Sequence, residues 1–130
     1  MTLPTNAKYT KTHEWVRLEN DGTATIGITE HAQYALGDMV FVELPAIGKQ
    51  IIAGKECGVV ESVKSASDLY SPISGEVIAN NADVTATPAL LNQDPQGKGW
   101  LFKVRVKDTK ELDALMDAAS YEAFLATCEH

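Results

Sequence analysis

Short β-prone runs, broken at regular intervals by turn-forming residues, constrain this chain more than any other feature. Thr23–Ile28 alternates small or polar residues with apolar ones after an Asn20-Asp21-Gly22 turn. Met39–Leu44 is apolar apart from Glu43 and ends at Pro45, and Gly58–Val63, Gly75–Ala79 and Trp100–Val106 read as three further strands. Such lengths and spacings predict packed sheets, a sandwich or flattened barrel, rather than bundled helices.

Helical signals are short and lie between or after these runs. Thr29 is placed to cap a helix through Ala35, with Gly37 near its exit. Thr87-Pro88 offers a cap and a first-turn proline for Ala89–Asn92. Asp108 with Glu111 resembles a capping box ahead of Leu112, Leu115 and Met116, and Asp117 starts a second turn of helix carrying Tyr121, Phe124 and Leu125. The expectation is mainly β structure with short α-helices in one domain over 1–130. Its strand core covers about 23–106, and C-terminal helices over about 108–126 pack on the sheets. Gly48 and Gly75 each precede a β-rich run, too little to establish a repeat.

Charge removes one class of function. The 130 residues carry 18 acidic against 11 basic side chains, a formal net charge of −7, with no Lys/Arg cluster to offset it. Such a surface repels phosphate backbones, so nucleic acid is not an expected partner. Cys57 and Cys128 are far apart and form no CxxC, which reads as free thiols in a reducing compartment. His13, His31 and His130 share no ligand spacing, so no metal site is expected. No apolar run reaches membrane-spanning length. The opening MTLPTNAKYTKTHEW has neither a signal-peptide core nor the Arg-rich pattern of a transit peptide. The expected location is the cytoplasm of a bacterium, or a mitochondrial matrix where a transit peptide has been removed.

The stretch most informative about chemistry is Glu61-Ser62-Val63-Lys64-Ser65-Ala66-Ser67-Asp68, continued by Leu69-Tyr70-Ser71-Pro72-Ile73-Ser74-Gly75-Glu76-Val77. Cys57–Val63 is β-prone, and Ser65, Ala66 and Ser67 crowd nothing around Lys64. Asp68 and Ser71-Pro72 are then expected to redirect the chain so that Gly75–Ala79 returns as a strand. A lysine at such a tip is open and held in place, which suits an enzyme that acylates one lysine among many. The same pattern also fits an ordinary solvated lysine. A Schiff-base lysine fits less well, because that role needs a desolvated pocket. Composition and spacing leave these alternatives open.

The segment Glu61–Asp68, with the following Ser71-Pro72-Ile73-Ser74-Gly75-Glu76, resembles the lipoyl-attachment region of glycine cleavage H proteins. Tyr9–Val16, Ile26–Gln33, Leu36–Pro45 and Gly99-Trp100 are similar to further segments of that family and follow in the same order, so the resemblance runs from Lys8 to Phe124. Biotin carriers share the architecture but usually place Met on both sides of the lysine, where this chain has Val63 and Ser65. Lipoyl domains of 2-oxoacid dehydrogenases commonly show Asp-Lys-Ala and lack the His13-Glu14-Trp15 segment and the C-terminal helices.

The resemblance implies a lipoyl-domain-like β-sandwich with the modified lysine on a hairpin turn. It implies one lipoic acid, amide-linked to Lys64, on a monomeric shuttle that is not itself an enzyme. The shuttle would carry an aminomethyl group from glycine decarboxylase (P protein) to a folate-dependent aminomethyltransferase (T protein), and electrons to dihydrolipoyl dehydrogenase (L protein). A lipoate ligase or a lipoyl/octanoyl transferase would install the cofactor, with Glu61 helping it to find Lys64. Thr12, Glu14 and Asp68 would hold the amine of the loaded arm in a surface cleft walled by Ile28 and Leu36. Ala35 stands where some family members carry a bulkier polar residue. Rival readings are a lipoyl carrier for another system, a lysine-dependent enzyme and an unmodified interaction module. No second chemical cluster supports the enzyme.

Overall fold

The structure, a computed structural model, describes residues 5–127. Cys128 and His130 therefore lie outside the described residues, as do positions 1–4 of the opening segment. Among the described residues, nine antiparallel strands form two sheets. The larger has the order β1 (Lys8–Tyr9), β2 (Glu14–Leu18), β3 (Thr23–Ile28), β9 (Phe102–Val106), β8 (Gly75–Asn80), β5 (Gln50–Ile51). The smaller runs β4 (Met39–Glu43), β6 (Glu56–Ser62), β7 (Ala66–Tyr70). Val42, Val60 and Leu69 of the small sheet share one buried cluster with Ile26, Val77 and Val104 of the large sheet. The two sheets form a sandwich; they are not closed into the flattened barrel held open as an alternative.

Thr23–Ile28 appears as expected, and the other expected strands appear with ends shifted by no more than two residues, as is usual for boundaries read from pattern. Thr29 caps α1 (Glu30–Leu36) by accepting from the Ala32 N–H, and Gly37 ends it at φ 83°. The hairpin around Lys64 differs from expectation. The returning strand is β7, paired to β6 with Glu61 opposite Ala66 and Val59 opposite Asp68, not the more distant β8. Asp68 is thus a strand residue and turns nothing. Burial of Leu69 fixes the alternation and points Ala66, Asp68 and Tyr70 outward. Strands β1, β2 and β5, and the helix α2 (Ala82–Ala86) capped by Asn81, were not read from the pattern.

The remaining helices are modest. Thr87-Pro88 precedes α3 (Leu90–Gln93), whose N-cap is Ala89 with no side-chain bond. Asp108 does cap, accepting from the Lys110 N–H, but the turns that follow, Thr109–Ala114, are 3-10. Glu111 completes no capping box. Its carboxylate accepts from the Ser74 N–H at 2.8 Å and the Ser74 hydroxyl at 2.9 Å, tying this segment to the turn before β8. Helix α4 (Ala118–Thr127) covers a second buried cluster of Ala7, Tyr9, Trp15 and Tyr121. Tyr9 and Tyr121 stack at 4.7 Å, and the Tyr121 hydroxyl lies 2.8 Å from both Thr29 Oγ1 and His13 Nδ1. No helix among the described residues is long and apolar enough to cross a membrane.

Gly75 opens β8 where the sheet leaves no room for a side chain: a Cβ there would sit 2.2 Å from the Arg105 carbonyl oxygen. That neighbour is paired backbone and cannot turn aside. Gly75→Ala is expected to lower stability by about 1–3 kcal/mol, the usual range for overpacking a tight site. Urea unfolding checks this, and an unchanged midpoint contradicts it.

Candidate functional site

Lys64 projects from the tip of the β6–β7 hairpin and is exposed. Its Nζ donates to the Ala35 carbonyl at 2.9 Å, at the C-terminal end of α1, where no other basic residue occupies the last turn. A cation at that position interacts favourably with the unpaired helix carbonyls. The Val63 N–H donates to the Asp38 carbonyl at 3.0 Å, so the hairpin tip rests on the junction between α1 and β4.

Beside the far end of β7 lies a cleft of about 450 Å³. Thr10, Thr12, Glu14, Tyr70, Pro72 and Leu115 are among the residues that line it. Glu14 is the first residue of β2 and is only 3% exposed. Its carboxylate accepts from the Thr10 hydroxyl at 2.7 Å, from the Thr12 hydroxyl and from the Tyr70 N–H at 3.3 Å. Burial pushes its pKa up, and these hydrogen bonds offset part of that rise. The turn before it is strained. His13 adopts φ 70°, uncommon for a residue with a side chain, and is held there by contacts with Tyr121, His31 and Phe124.

Cys57 sits at the irregularity in β6, between the pairs Glu56–Tyr70 and Gly58–Leu69. Burial first, and then the charge of Glu14, push its thiol up to about 12, so it is not a ready nucleophile at neutral pH. Among the described residues no group of three or more His, Cys, Asp or Glu side chains is placed to hold a metal ion.

A family description, Glycine cleavage H-protein, matches residues 7–128. The chain belongs to the glycine cleavage H-protein family. A relative named glycine cleavage system H protein from Nitrosospira multiformis is 55% identical over 130 residues, covering all of both chains. One of the same name from Shewanella denitrificans is 56% identical over 121 residues, 93% of this chain and 94% of that one. The crystal structure of a glycine cleavage system H protein from Mycobacterium marinum superposes with a TM-score of 0.89 at 38% identity, covering 95% of this chain and 99% of that one. The sandwich described above is therefore the family fold.

Family membership does not by itself group the residues expected to form the cleft, and the structure groups only some of them. Thr12 and Glu14 meet in it. Asp68 lies outside its lining, exposed on the outer face of β7 two residues before Tyr70. Ile28 and Leu36 do not wall it: Ile28 pairs with Glu14 across β2–β3 but is 2% exposed within the main core, and Leu36 packs half-buried on the same core. An inward strand position fills the sandwich instead of facing solvent. Glu61 is exposed on β6, in register with Phe41 and Ala66. Thr10, Tyr70 and Leu115 were missed. Tyr70 contributes a backbone N–H, which leaves no mark in a sequence.

The raised pKa of Glu14 has a consequence for stability. In the window above the ordinary Glu value the native state holds more protons than the unfolded one, so stability falls as pH rises through that window. Above it the fold carries a buried carboxylate that it would hold more easily protonated. Gln can keep its oxygen toward the Tyr70 N–H and donate to threonine hydroxyls, which rotate to accept. Glu14→Gln is expected to be more stable than the parent at about pH 8 and no more stable at about pH 4. Urea unfolding at the two values decides, and a parent more stable at the higher pH contradicts the assignment.

Proposed function

We propose that the chain is a lipoyl carrier of the glycine cleavage system, with lipoic acid joined to Lys64 as an amide. The observation that carries this reading is the placement of Lys64, exposed at the tip of a β hairpin in a chain of this family. The residues fit the group. The lysine amine is reachable from solvent, and the outward residues Ala66, Asp68 and Tyr70 of β7 lead from it to the cleft that holds Glu14. When bound, lipoate supplies a dithiolane that exchanges electrons and accepts a one-carbon amine.

The chain's own residues would hold, shelter and present that arm. Glu14 supplies a carboxylate in a partly dry cleft, aimed at a cationic amine and kept in place by Thr10, Thr12 and the Tyr70 N–H. Asp68 adds a second acid on the way. The high pKa of Cys57 keeps a neighbouring thiol from exchanging with a disulfide. Exposed Glu61, three residues before Lys64, is a recognition point for the lipoate ligase or the lipoyl/octanoyl transferase. The carrier serves glycine decarboxylase, the folate-dependent aminomethyltransferase and dihydrolipoyl dehydrogenase, and their active sites and cofactors perform the reactions.

Intact mass after expression with lipoate, followed by peptide mapping, tests the attachment. The expected result is one lipoyl group on Lys64 and none on Lys64→Arg, which keeps the charge without an acylatable amine. Lipoate on any other lysine overturns it.

Glu14 is tested on the loaded arm. A charge-assisted hydrogen bond of about 1.5–3 kcal/mol shifts the docked-to-free ratio about tenfold to hundredfold. Glu14→Ala is expected to lipoylate normally yet release ammonia faster from the loaded form when the folate enzyme is absent. Equal release from mutant and parent rules this role out.

A further inference from the structure

The turn that displays Lys64 departs from the usual chemistry of a two-residue hairpin loop. The Ser62 N–H donates to the Ser65 carbonyl at 2.8 Å, which leaves Val63 and Lys64 as the loop. Such loops favour turns with positive φ, because their twist matches that of the strands, and Asn-Gly is their usual sequence. Neither Val63 nor Lys64 has a positive φ; among the described non-glycine residues that is seen at His13. A lysine that must stand in the loop cannot readily adopt the left-handed conformation that a glycine would.

One hydroxyl closes the turn instead. Ser62 Oγ accepts from the Lys64 N–H at 3.2 Å and the Ser65 N–H at 3.1 Å, and donates to the Ser65 carbonyl at 3.2 Å. That is the full capacity of a hydroxyl, one bond donated and two accepted. Ser62 is 7% exposed, so these bonds are sheltered although Lys64 itself stands in water.

We propose that Ser62 is a positioning residue for acylation of Lys64: its buried hydroxyl grips the N–H groups of Lys64 and Ser65 and holds the loop in the presenting conformation. The proposal rests on the reading of Lys64 as the attachment residue. In the reaction the neutral amine nitrogen bonds to the acyl carbon of a lipoyl adenylate. The bond from that carbon to the phosphate oxygen breaks, AMP leaves with the bonding electrons, and the surplus proton on nitrogen passes to solvent. Ser62 touches none of these atoms. It spares the modifying enzyme the entropic cost of ordering the loop at the moment of binding.

The test uses the full chain, Ser62→Ala and Ser62→Thr as acceptors for a lipoate ligase supplied with lipoate and ATP. Ser62→Ala is expected to raise the acceptor KM about tenfold at unchanged kcat, equivalent to about 1.4 kcal/mol of lost uniform binding. Amide exchange at Lys64 and Ser65 speeds up in the same variant, while Ser62→Thr keeps the hydroxyl and stays near the parent in both measurements. A Ser62→Ala protein with the parent's KM and exchange overturns the proposal. So does one whose KM rises only as far as its thermal melt shows the folded fraction to have fallen, because unfolded acceptor raises the apparent KM at unchanged kcat. A parent that takes no lipoate at Lys64 overturns the attachment reading as well, so the two failures are distinguishable.

Discussion

The apolar seam between the two sheets decides what the outer surface can present. Val60 and Leu69 must face Ile26, Val77 and Val104, and strand alternation then leaves no freedom in what points outward. Glu61 on β6, and Ala66, Asp68 and Tyr70 on β7, face solvent because their neighbours face the core. A slip of one residue in β7 would bury Asp68 and expose Leu69, so the core enforces the register on which Lys64's place at the tip depends. Function here is written on the outside of a sheet whose inside is fixed by packing alone.

The price of the site is paid in burial and backbone strain around Glu14. A carboxylate 3% exposed is costly unless each lone pair has a donor, and the chain supplies two threonine hydroxyls and a backbone N–H. His13 is left-handed immediately before it, a conformation costing roughly 1–2 kcal/mol for such a residue. The Tyr121 hydroxyl, between His13 Nδ1 and Thr29 Oγ1, ties that strained turn both to α4 and to the cap of α1. The C-terminal helix is thus part of the support for the acid, although it contributes no residue to the cleft lining.

Legibility in the sequence followed physical cause. Strands β3, β4 and β8 could be read because each is a short apolar-rich run bounded by a turn former, Gly22 before β3, Pro45 after β4 and Gly75 at the start of β8. β7 could not, because Asp68 and Ser71-Pro72 carry turn chemistry while its pairing to β6 is a tertiary fact. Lys64 stood out from the small residues around it, but its role, like that of Glu14, entered only through the family resemblance. Ile28 enters as a cleft wall on that resemblance, and the structure places it on β3 within the main core. The grip of Ser62 on the turn is made with backbone groups, which every sequence has, so only coordinates could reveal it.

The two ends of Lys64 are held with different strength, and that difference suits the attachment proposed for it. At the backbone end the bonds to Ser62 are sheltered; at the amine end the bond to the Ala35 carbonyl is exposed. Exposed charge contacts contribute between zero and about 1 kcal/mol, so the ammonium leaves that carbonyl easily. Release lets the ammonium give up a proton to solvent, as the proposed acylation requires, since only the neutral nitrogen has a lone pair to offer an acyl carbon. After acylation the nitrogen keeps one N–H but no charge, which weakens the attraction to the helix end further. On the proposed attachment, the backbone of Lys64 stays where Ser62 holds it, while the atoms beyond Cε are released.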